Sequence, residues 1–102
     1  MLGIDIVYLP EFEKKLKNLS LEKVFLSHEL SQNKSSESLA GIFAAKEAFF
    51  KAIGIKENWL DVWVEKTGKG KPILKSVLIQ NKKTELSISH AKDYVVAVVT
   101  IL

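Results

Sequence analysis

The stretch "LAGIFAAKEAFFKAIG", Leu39 to Gly54, is the most apolar long segment with a helical pattern, and the expected fold is built around it. On a helical wheel, one side carries large apolar groups and the opposite side carries only small ones, Ala44, Ala45, Ala48 and Ala52. A helix that is apolar all round is buried on most sides, and its alanine side allows another backbone to come close. We therefore expect a long buried helix that ends at Gly54, a residue typical of helix C-caps.

Three charged residues interrupt this helix: Lys46, Glu47 and Lys51. Lys46 falls in the middle of the large apolar arc, where its stem can snorkel or its ammonium can pair with a neighbour. Glu47 and Lys51 lie on the flank between the two sides, spaced i, i+4 with the glutamate first, which favours an ion pair. One interpretation is a structural Glu47–Lys51 pair at the helix edge. The other is a functional site, since buried charges need partners.

Shorter elements flank the long helix. Before it, "LGIDIVYL" predicts a strand that Pro10 ends, and "EFEKKLKNL" predicts a short amphipathic helix. The segments "SLEKVF" and "LSHELSQN" predict short helical turns with Ser27 as an N-cap, and the loop "NKSSES" offers serine caps for the long helix. After it, "WLDVWVEK" predicts a strand, "TGKGKP" a turn, "ILKSVLI" a strand or short helix, and "TELSISHAKDYVVAVVTIL" a terminal hairpin.

These elements add up to an α+β fold with one domain over residues 1–102, in which an antiparallel sheet packs on one long helix plus short helices. The chain has no cysteine, which excludes disulfides, thiolate metal sites and cysteine nucleophiles. Its net charge is +3 and all fifteen basic residues are lysine, so a bound anion would be held by point charges and backbone N–H groups. No apolar run reaches the ~20 residues of a membrane span, and "MLGIDIV" does not resemble a signal peptide. We therefore expect a cytoplasmic protein without a membrane partner.

The strand "GIDIV" places Asp5 among apolar residues, on the same face as Gly3 and Val7. Gly3 predicts open space beside Asp5. An exposed Asp5 on a half-solvated strand is the simpler interpretation. If Asp5 meets Glu47, however, the two carboxylates repel unless one is protonated or a cation lies between them. Mg²⁺ suits such a pair, because it commonly takes one or two carboxylates plus substrate phosphates.

Two segments are candidates for holding a phosphate. In "SISHAKDY", His90 lies near Ser89 and Lys92 where a strand enters the hairpin turn. In "GKGKP", Gly68 to Pro72, glycines allow backbone approach and lysines can neutralise an anion. Glycine and lysine are also ordinary turn residues, and a lone histidine is more often structural, so neither segment is specific alone.

Together, the segments "GIDIV", "FLSHEL", "LAGIFAAKEAFFKA", "GKP" and "LSISHAKDYVVAVV" resemble the holo-acyl-carrier-protein synthase family, the single-domain 4′-phosphopantetheinyl transferases. The resemblance implies the fold of that family and transfer of 4′-phosphopantetheine from coenzyme A to a serine of an apo acyl carrier protein, a step of fatty acid biosynthesis. It implies Mg²⁺ held by Asp5 and Glu47, with Lys51 as the catalytic lysine. The residues it implies for binding coenzyme A are Lys46, Lys51, Gly70, Lys71, Pro72, Ser89 and His90.

The resemblance also implies a homotrimer with coenzyme A in clefts between subunits, which would account for the alanine side of the long helix. Acyl carrier proteins are acidic, so Lys14, Lys15 and Lys17 are candidates for steering them. Where many family members have arginine, this chain has Ile42, so one phosphate or carrier contact is missing or replaced, for instance by a lysine. The base that activates the carrier serine stays open between Glu47 and a water on the metal.

Three other functions remain as alternatives. A small basic nucleic-acid-binding module would use the lysine excess with Trp59 and Trp63, although these aromatics are not interleaved with basic residues. A Mg²⁺-dependent phosphohydrolase would use Asp5 and Glu47 without a carrier protein. A non-catalytic trimeric scaffold would not bind coenzyme A.

Overall fold

The computed structural model describes all 102 residues, Met1–Leu102. Three α-helices and five strands make up most of the chain, in the order β1 (Leu2–Tyr8), α1 (Leu9–Leu16), α2 (Ser27–Gln32), α3 (Ser36–Ile53), β2 (Val62–Lys66), β3 (Pro72–Ser76), β4 (Thr84–Ala91) and β5 (Tyr94–Ile101). Short 3₁₀ helices at Leu21–Lys23 and Trp59–Asp61 complete the order. The predicted α+β class is confirmed, and the ambiguous "ILKSVLI" segment begins as a strand.

The strands form two antiparallel sheets rather than the single sheet predicted. The larger has the order β1-β5-β4, and β2 and β3 form a separate two-stranded sheet. In the larger sheet Asp5 lies opposite Ala97 and His90 lies opposite Val95. Leu74 in β3 accepts a hydrogen bond at its carbonyl from the Thr84 hydroxyl (2.6 Å), so the two sheets meet at β3 and β4.

Helix α3 packs its alanine side against the chain's own larger sheet. Ala44, Ala45 and Ala48 are fully buried in the single chain. A Cβ added to Gly3 would lie 1.8 Å from the carbonyl oxygen of Ala48, so the β1 backbone rests directly on the helix. The expectation of open space beside Asp5 is therefore wrong, because α3 fills the position next to Gly3. The alanine side also needs no second subunit, because the chain's own sheet covers it.

The ends of the helices follow local hydrogen-bonding rules. Ser35 caps α3 by accepting a hydrogen bond from the Ser38 N–H (3.0 Å), and Gly54 ends the helix with φ of 71°. Both features were predicted. Ser27 is not an N-cap, because α2 begins at that residue and the Glu29 carboxylate accepts from the backbone N–H of Leu26 instead (2.9 Å).

The outer face of β1 is apolar and uncovered. Because Gly3, Asp5 and Val7 face α3, the alternate residues point away from the core. Their exposed fractions are 67% for Leu2, 58% for Ile4 and 61% for Ile6. Tyr8 and Tyr94 extend this surface at one end, with ring centroids 5.2 Å apart. None of the helices has the length and apolarity needed to cross a bilayer.

Candidate functional site

A cleft of about 250 Å³ lies between β1, α1 and α3. The strand contributes Asp5, and the helix contributes Glu47 and Lys51 one turn apart. Its lining also includes aromatic and charged side chains from the neighbouring elements, Tyr8, Glu11, Phe12, Lys15 and Phe43. The structure thus brings together the three residues predicted from separate segments to carry the chemistry.

Lys51 pairs with Asp5 rather than with Glu47. Its ammonium donates to Asp5 Oδ1 (2.9 Å) and to the carbonyl oxygen of Ile4 (3.2 Å). The hydrogen bond to Asp5 raises the pKa of Lys51, with burial opposing the shift. The side chain of Lys51 is 56% exposed and that of Asp5 only 13%, so the cation lies at the mouth of the cleft and the carboxylate inside it. The predicted structural Glu47–Lys51 pair is therefore not formed.

Glu47 forms no salt bridge. Burial raises the pKa of the Glu47 carboxyl, and the nearby charges of Asp5 and Glu57 raise it further. A buried glutamate whose ionisation is disfavoured beside a second carboxylate forms a site that a divalent cation would stabilise. No third histidine, aspartate or glutamate completes a metal cluster. The donor set fits Mg²⁺, which keeps several waters and accepts one or two carboxylates together with substrate phosphates.

Lys46 does not line this cleft, and its assignment to coenzyme A binding is corrected. The side chain is fully buried and its ammonium donates to Glu29 Oε1 at 2.7 Å. Backbone carbonyls of Val24 (2.6 Å) and Trp59 (3.0 Å) accept its other two N–H groups. Burial lowers the pKa of Lys46 and the Glu29 carboxylate partly offsets this. Of the two possibilities at the sequence level, pairing with a neighbour is the one that occurs.

A second cleft of about 250 Å³ gathers the predicted nucleotide-binding segments. His90, Gly70 and Pro72 line it together with Lys66 and Ile42. The remaining lining residues come from the end of α2, the first half of α3 and neighbouring strands: Asn33, Ser38, Gly41, Val64 and Ile88. Lys71 is exposed outside this lining. Ser89 is also exposed, and strand alternation places it on the opposite face of β4 from His90.

The two clefts lie on opposite sides of α3. The first uses Phe43, Glu47 and Lys51, and the second uses Ser38, Gly41 and Ile42, about half a turn of the helical wheel away. No residue lines both. Within one chain, therefore, the carboxylate pair and the His90 segment do not form one site.

Sequence reasoning gave no role to Glu29 or Lys66. Glu29 was seen only as part of "FLSHEL", although a buried lysine in an apolar arc implies a buried acid elsewhere. Lys66 lines the same cleft as Ile42, but in the sequence it is only the last residue of a predicted strand, and nothing in that pattern indicates an anion-binding role.

Residues 1–99 match the family model of the 4′-phosphopantetheinyl transferase superfamily. The chain belongs to this superfamily. It is 35% identical to the holo-[acyl-carrier-protein] synthase of Bacillus pumilus, covering 98% of this chain and 93% of that protein. It is also 35% identical to the synthase of Nautilia profundicola, covering 100% and 99% of the two chains.

Solved structures of superfamily members share the whole fold. The Helicobacter pylori holo-[acyl-carrier-protein] synthase in complex with coenzyme A superposes with a TM-score of 0.91 at 32% identity, over 100% of both chains. The Bacillus anthracis synthase, in complex with CoA (3′,5′-ADP), gives a TM-score of 0.87 at 36% identity, over 98% of this chain and 93% of that one. The resemblance predicted from the sequence motifs is thereby confirmed for this phosphopantetheinyl transferase.

Proposed function

We propose that this chain is a holo-[acyl-carrier-protein] synthase, which transfers 4′-phosphopantetheine from coenzyme A to a serine of an apo acyl carrier protein. The observation that carries the proposal is the cleft in which Asp5, Glu47 and Lys51 converge, in a chain that superposes on relatives with coenzyme A bound. The serine oxygen forms a bond to the phosphorus next to the pantetheine arm. The bond from that phosphorus to the bridging oxygen breaks, and adenosine 3′,5′-bisphosphate leaves.

The side chains of the cleft account for what this reaction requires. Phosphoryl-type transfer depends mainly on positioning and on neutralising negative charge. Mg²⁺ held by Asp5 and Glu47 would polarise the phosphorus and offset charge on the leaving phosphate. Lys51, half-exposed at the mouth of the cleft, keeps one N–H donor besides those bound to Asp5 and Ile4. That donor would bind a phosphate oxygen, and the ammonium would stabilise charge that grows in the transition state. The carrier serine must also lose its proton, and either the Glu47 carboxylate or a water on the metal would accept it.

We also propose a homotrimer whose sites are shared between subunits. His90, Gly70 and Pro72 lie across α3 from Glu47, so they complete a site only if a second copy supplies them. Lys66, in the same cleft, supplies the positive charge that Ile42 lacks. The uncovered apolar face of β1, with Ile4 and Ile6 more than half exposed, provides a surface for the subunit contact.

The carrier protein approaches along α1 in this proposal. Lys14 and Lys15 line an apolar groove of about 620 Å³ that adjoins the first cleft and shares Phe12 and Phe43 with it. Lysines beside an apolar groove suit an acidic partner with an apolar anchor. Lys17 follows α1 directly and extends the same charged surface. We place the reaction in cytoplasmic fatty acid biosynthesis, with neither nucleic acid nor membrane as a partner.

The test is intact-mass spectrometry of an apo acyl carrier protein incubated with this protein, coenzyme A and Mg²⁺. The expected result is a gain of one phosphopantetheine group that EDTA abolishes. No gain with several carrier proteins would contradict the proposal. Release of adenosine 3′,5′-bisphosphate without any carrier would indicate the phosphohydrolase instead.

Subunit sharing has its own test by complementation. Glu47→Gln and His90→Ala chains are each expected to be inactive alone. After the two are mixed and allowed to exchange subunits, sites with both residues intact form only if the residues come from different chains. At equal amounts, about a quarter of the sites would then regain activity. A mixture as inactive as its components would contradict shared sites.

A further inference from the structure

The buried ion pair between Lys46 and Glu29 has no place in the reaction described above. Both side chains are 0% exposed. The ammonium of Lys46 has three N–H donors, and all three are used: Glu29 Oε1 at 2.7 Å, the Val24 carbonyl at 2.6 Å and the Trp59 carbonyl at 3.0 Å. Glu29 accepts two further hydrogen bonds, from the backbone N–H groups of Leu26 (2.9 Å) and Val64 (3.0 Å).

This network joins parts of the chain that are distant in sequence. Lys46 belongs to α3, Glu29 to α2 and Val64 to β2. Val24 directly follows the first 3₁₀ helix, and Trp59 begins the second. Every bond has a direction and a short length, so the network fixes the rotation of α3 about its own axis at residue 46. Apolar side chains in the same place would fill the volume without fixing that angle.

Stability alone is a weak reason for such a pair. Two charges removed from water lose hydration, and replacing a buried ion pair by apolar residues of similar size is often neutral or stabilising. What the pair adds is specific orientation, and the next residue along the helix is Glu47. Glu47 lines the reaction cleft while Lys46 points into the protein. Because the two residues are adjacent on one helix, a rotation of α3 about its axis moves both side chains together.

We propose that the Lys46–Glu29 pair is a positioning device that holds the Glu47 carboxylate in register with Asp5. This inference rests on the proposed function. At a helix radius of about 5–6 Å including side chains, a rotation of about 10° moves a side-chain end by about 1 Å. A magnesium site demands near-ideal octahedral geometry and tolerates deviations of about 0.2 Å. A rotation of α3 by a few degrees would therefore move the Glu47 carboxylate further than a magnesium site tolerates.

The test measures metal binding directly. Mn²⁺ serves as the probe for the carboxylate pair, titrated in the presence of saturating coenzyme A and followed by electron paramagnetic resonance. Lys46→Met keeps the buried stem and removes the ammonium. We expect its Mn²⁺ affinity to fall about tenfold or more, the size of effect typical of groups that orient metal ligands. The Mg²⁺ concentration for half-maximal transfer should rise in parallel.

Leu86→Ala is the matched control. Leu86 is a buried core residue on β4, and its truncation destabilises the fold without touching the pair or the cleft. It should lower the unfolding temperature and leave Mn²⁺ affinity unchanged. A second variant, Lys46→Met combined with Glu29→Gln, removes the unpaired buried charge. This double variant should unfold at a higher temperature than Lys46→Met alone and should still bind Mn²⁺ weakly.

The outcomes separate the inference from the proposed function. If wild type binds Mn²⁺ and folded Lys46→Met binds it equally well, the positioning role is overturned and the proposed function stands. If the double variant regains wild-type Mn²⁺ affinity along with its stability, the pair acts through stability alone and the inference is also overturned. If Lys46→Met does not fold, the double variant decides by the same measurement. If wild type does not bind Mn²⁺, both the inference and the metal assignment fall.

Discussion

Substituting Gly3 by alanine tests how closely β1 must rest on α3. The added Cβ would lie 1.8 Å from the Ala48 carbonyl oxygen and 2.9 Å from the Ala52 nitrogen, and both are backbone atoms that cannot rotate away. Reaching even the shortest tolerated contact of 3.0 Å requires the strand and helix to separate by about 1.2 Å. Asp5 lies two residues along the same face of the strand, so its carboxylate moves relative to Glu47 by a similar distance.

The expected consequences are a loss of stability and a larger loss of activity. Overpacking of this kind costs about 1–3 kcal/mol, which corresponds to a fall in Tm of about 10–20 °C at the upper end for a chain of this size. A displacement of about 1 Å in a reacting site reduces turnover by about 100-fold. Differential scanning calorimetry at fixed protein concentration measures the first, and the mass-spectrometric transfer assay below the new Tm measures the second.

Gly68→Ala is the control for this substitution. Gly68 lies in the β2–β3 turn, and a Cβ there would meet nothing within 4 Å. Its free energy of unfolding should change by no more than about 0.5 kcal/mol. A Gly3→Ala protein with the Tm and turnover of wild type would refute the close packing of β1 on α3 and the dependence of the site upon it.

The remaining predictions concern the cleft and the subunit contact. Asp5→Asn or Glu47→Gln should abolish transfer while the circular dichroism spectrum stays native, and near-normal activity in either would contradict the metal assignment. Lys51→Ala should lower kcat strongly but change stability by less than about 1 kcal/mol, since the ammonium of Lys51 is more than half exposed. An unchanged kcat would mean that the Lys51–Asp5 pair is only structural. Ile4→Asp places a charge on the uncovered face of β1 and should give monomers in sedimentation velocity. A trimer that survives this change would place the contact elsewhere.

The sequence predicted most of the fold because its patterns are local. The apolar pattern of residues 39–54 specified the helix, the serines of "NKSSES" and Gly54 indicated its ends, and period-2 alternation indicated the strands. Their division into two sheets was not predictable, because a strand's pattern shows that it has a buried face but not which strand it pairs with. The prediction of Ser27 as an N-cap was wrong, because α2 begins at Ser27 and the Glu29 side chain accepts the hydrogen bond from the Leu26 N–H.

The sequence predicted which residues form the candidate site better than it predicted how they contact one another. Asp5, Glu47 and Lys51 could be singled out because each is an ionisable residue in an otherwise apolar element, and the structure places all three in one cleft. The sequence pattern did not predict which oppositely charged residue each of them pairs with. Lys51 had a glutamate one turn away and pairs with Asp5 on a neighbouring strand instead.

What the sequence determined by itself is the set of elements, the faces they bury and the superfamily to which the chain belongs. Only the tertiary structure decided that Lys46 is held inside by Glu29, that the alanine side of α3 is covered by β1, and that His90 lies across the helix from Glu47. The physical reason is that patterning depends on neighbours along the chain, whereas ion pairs and clefts depend on which distant segments meet. Lys46 and Lys51 both have carboxylate partners, and each partner lies on another element of the fold.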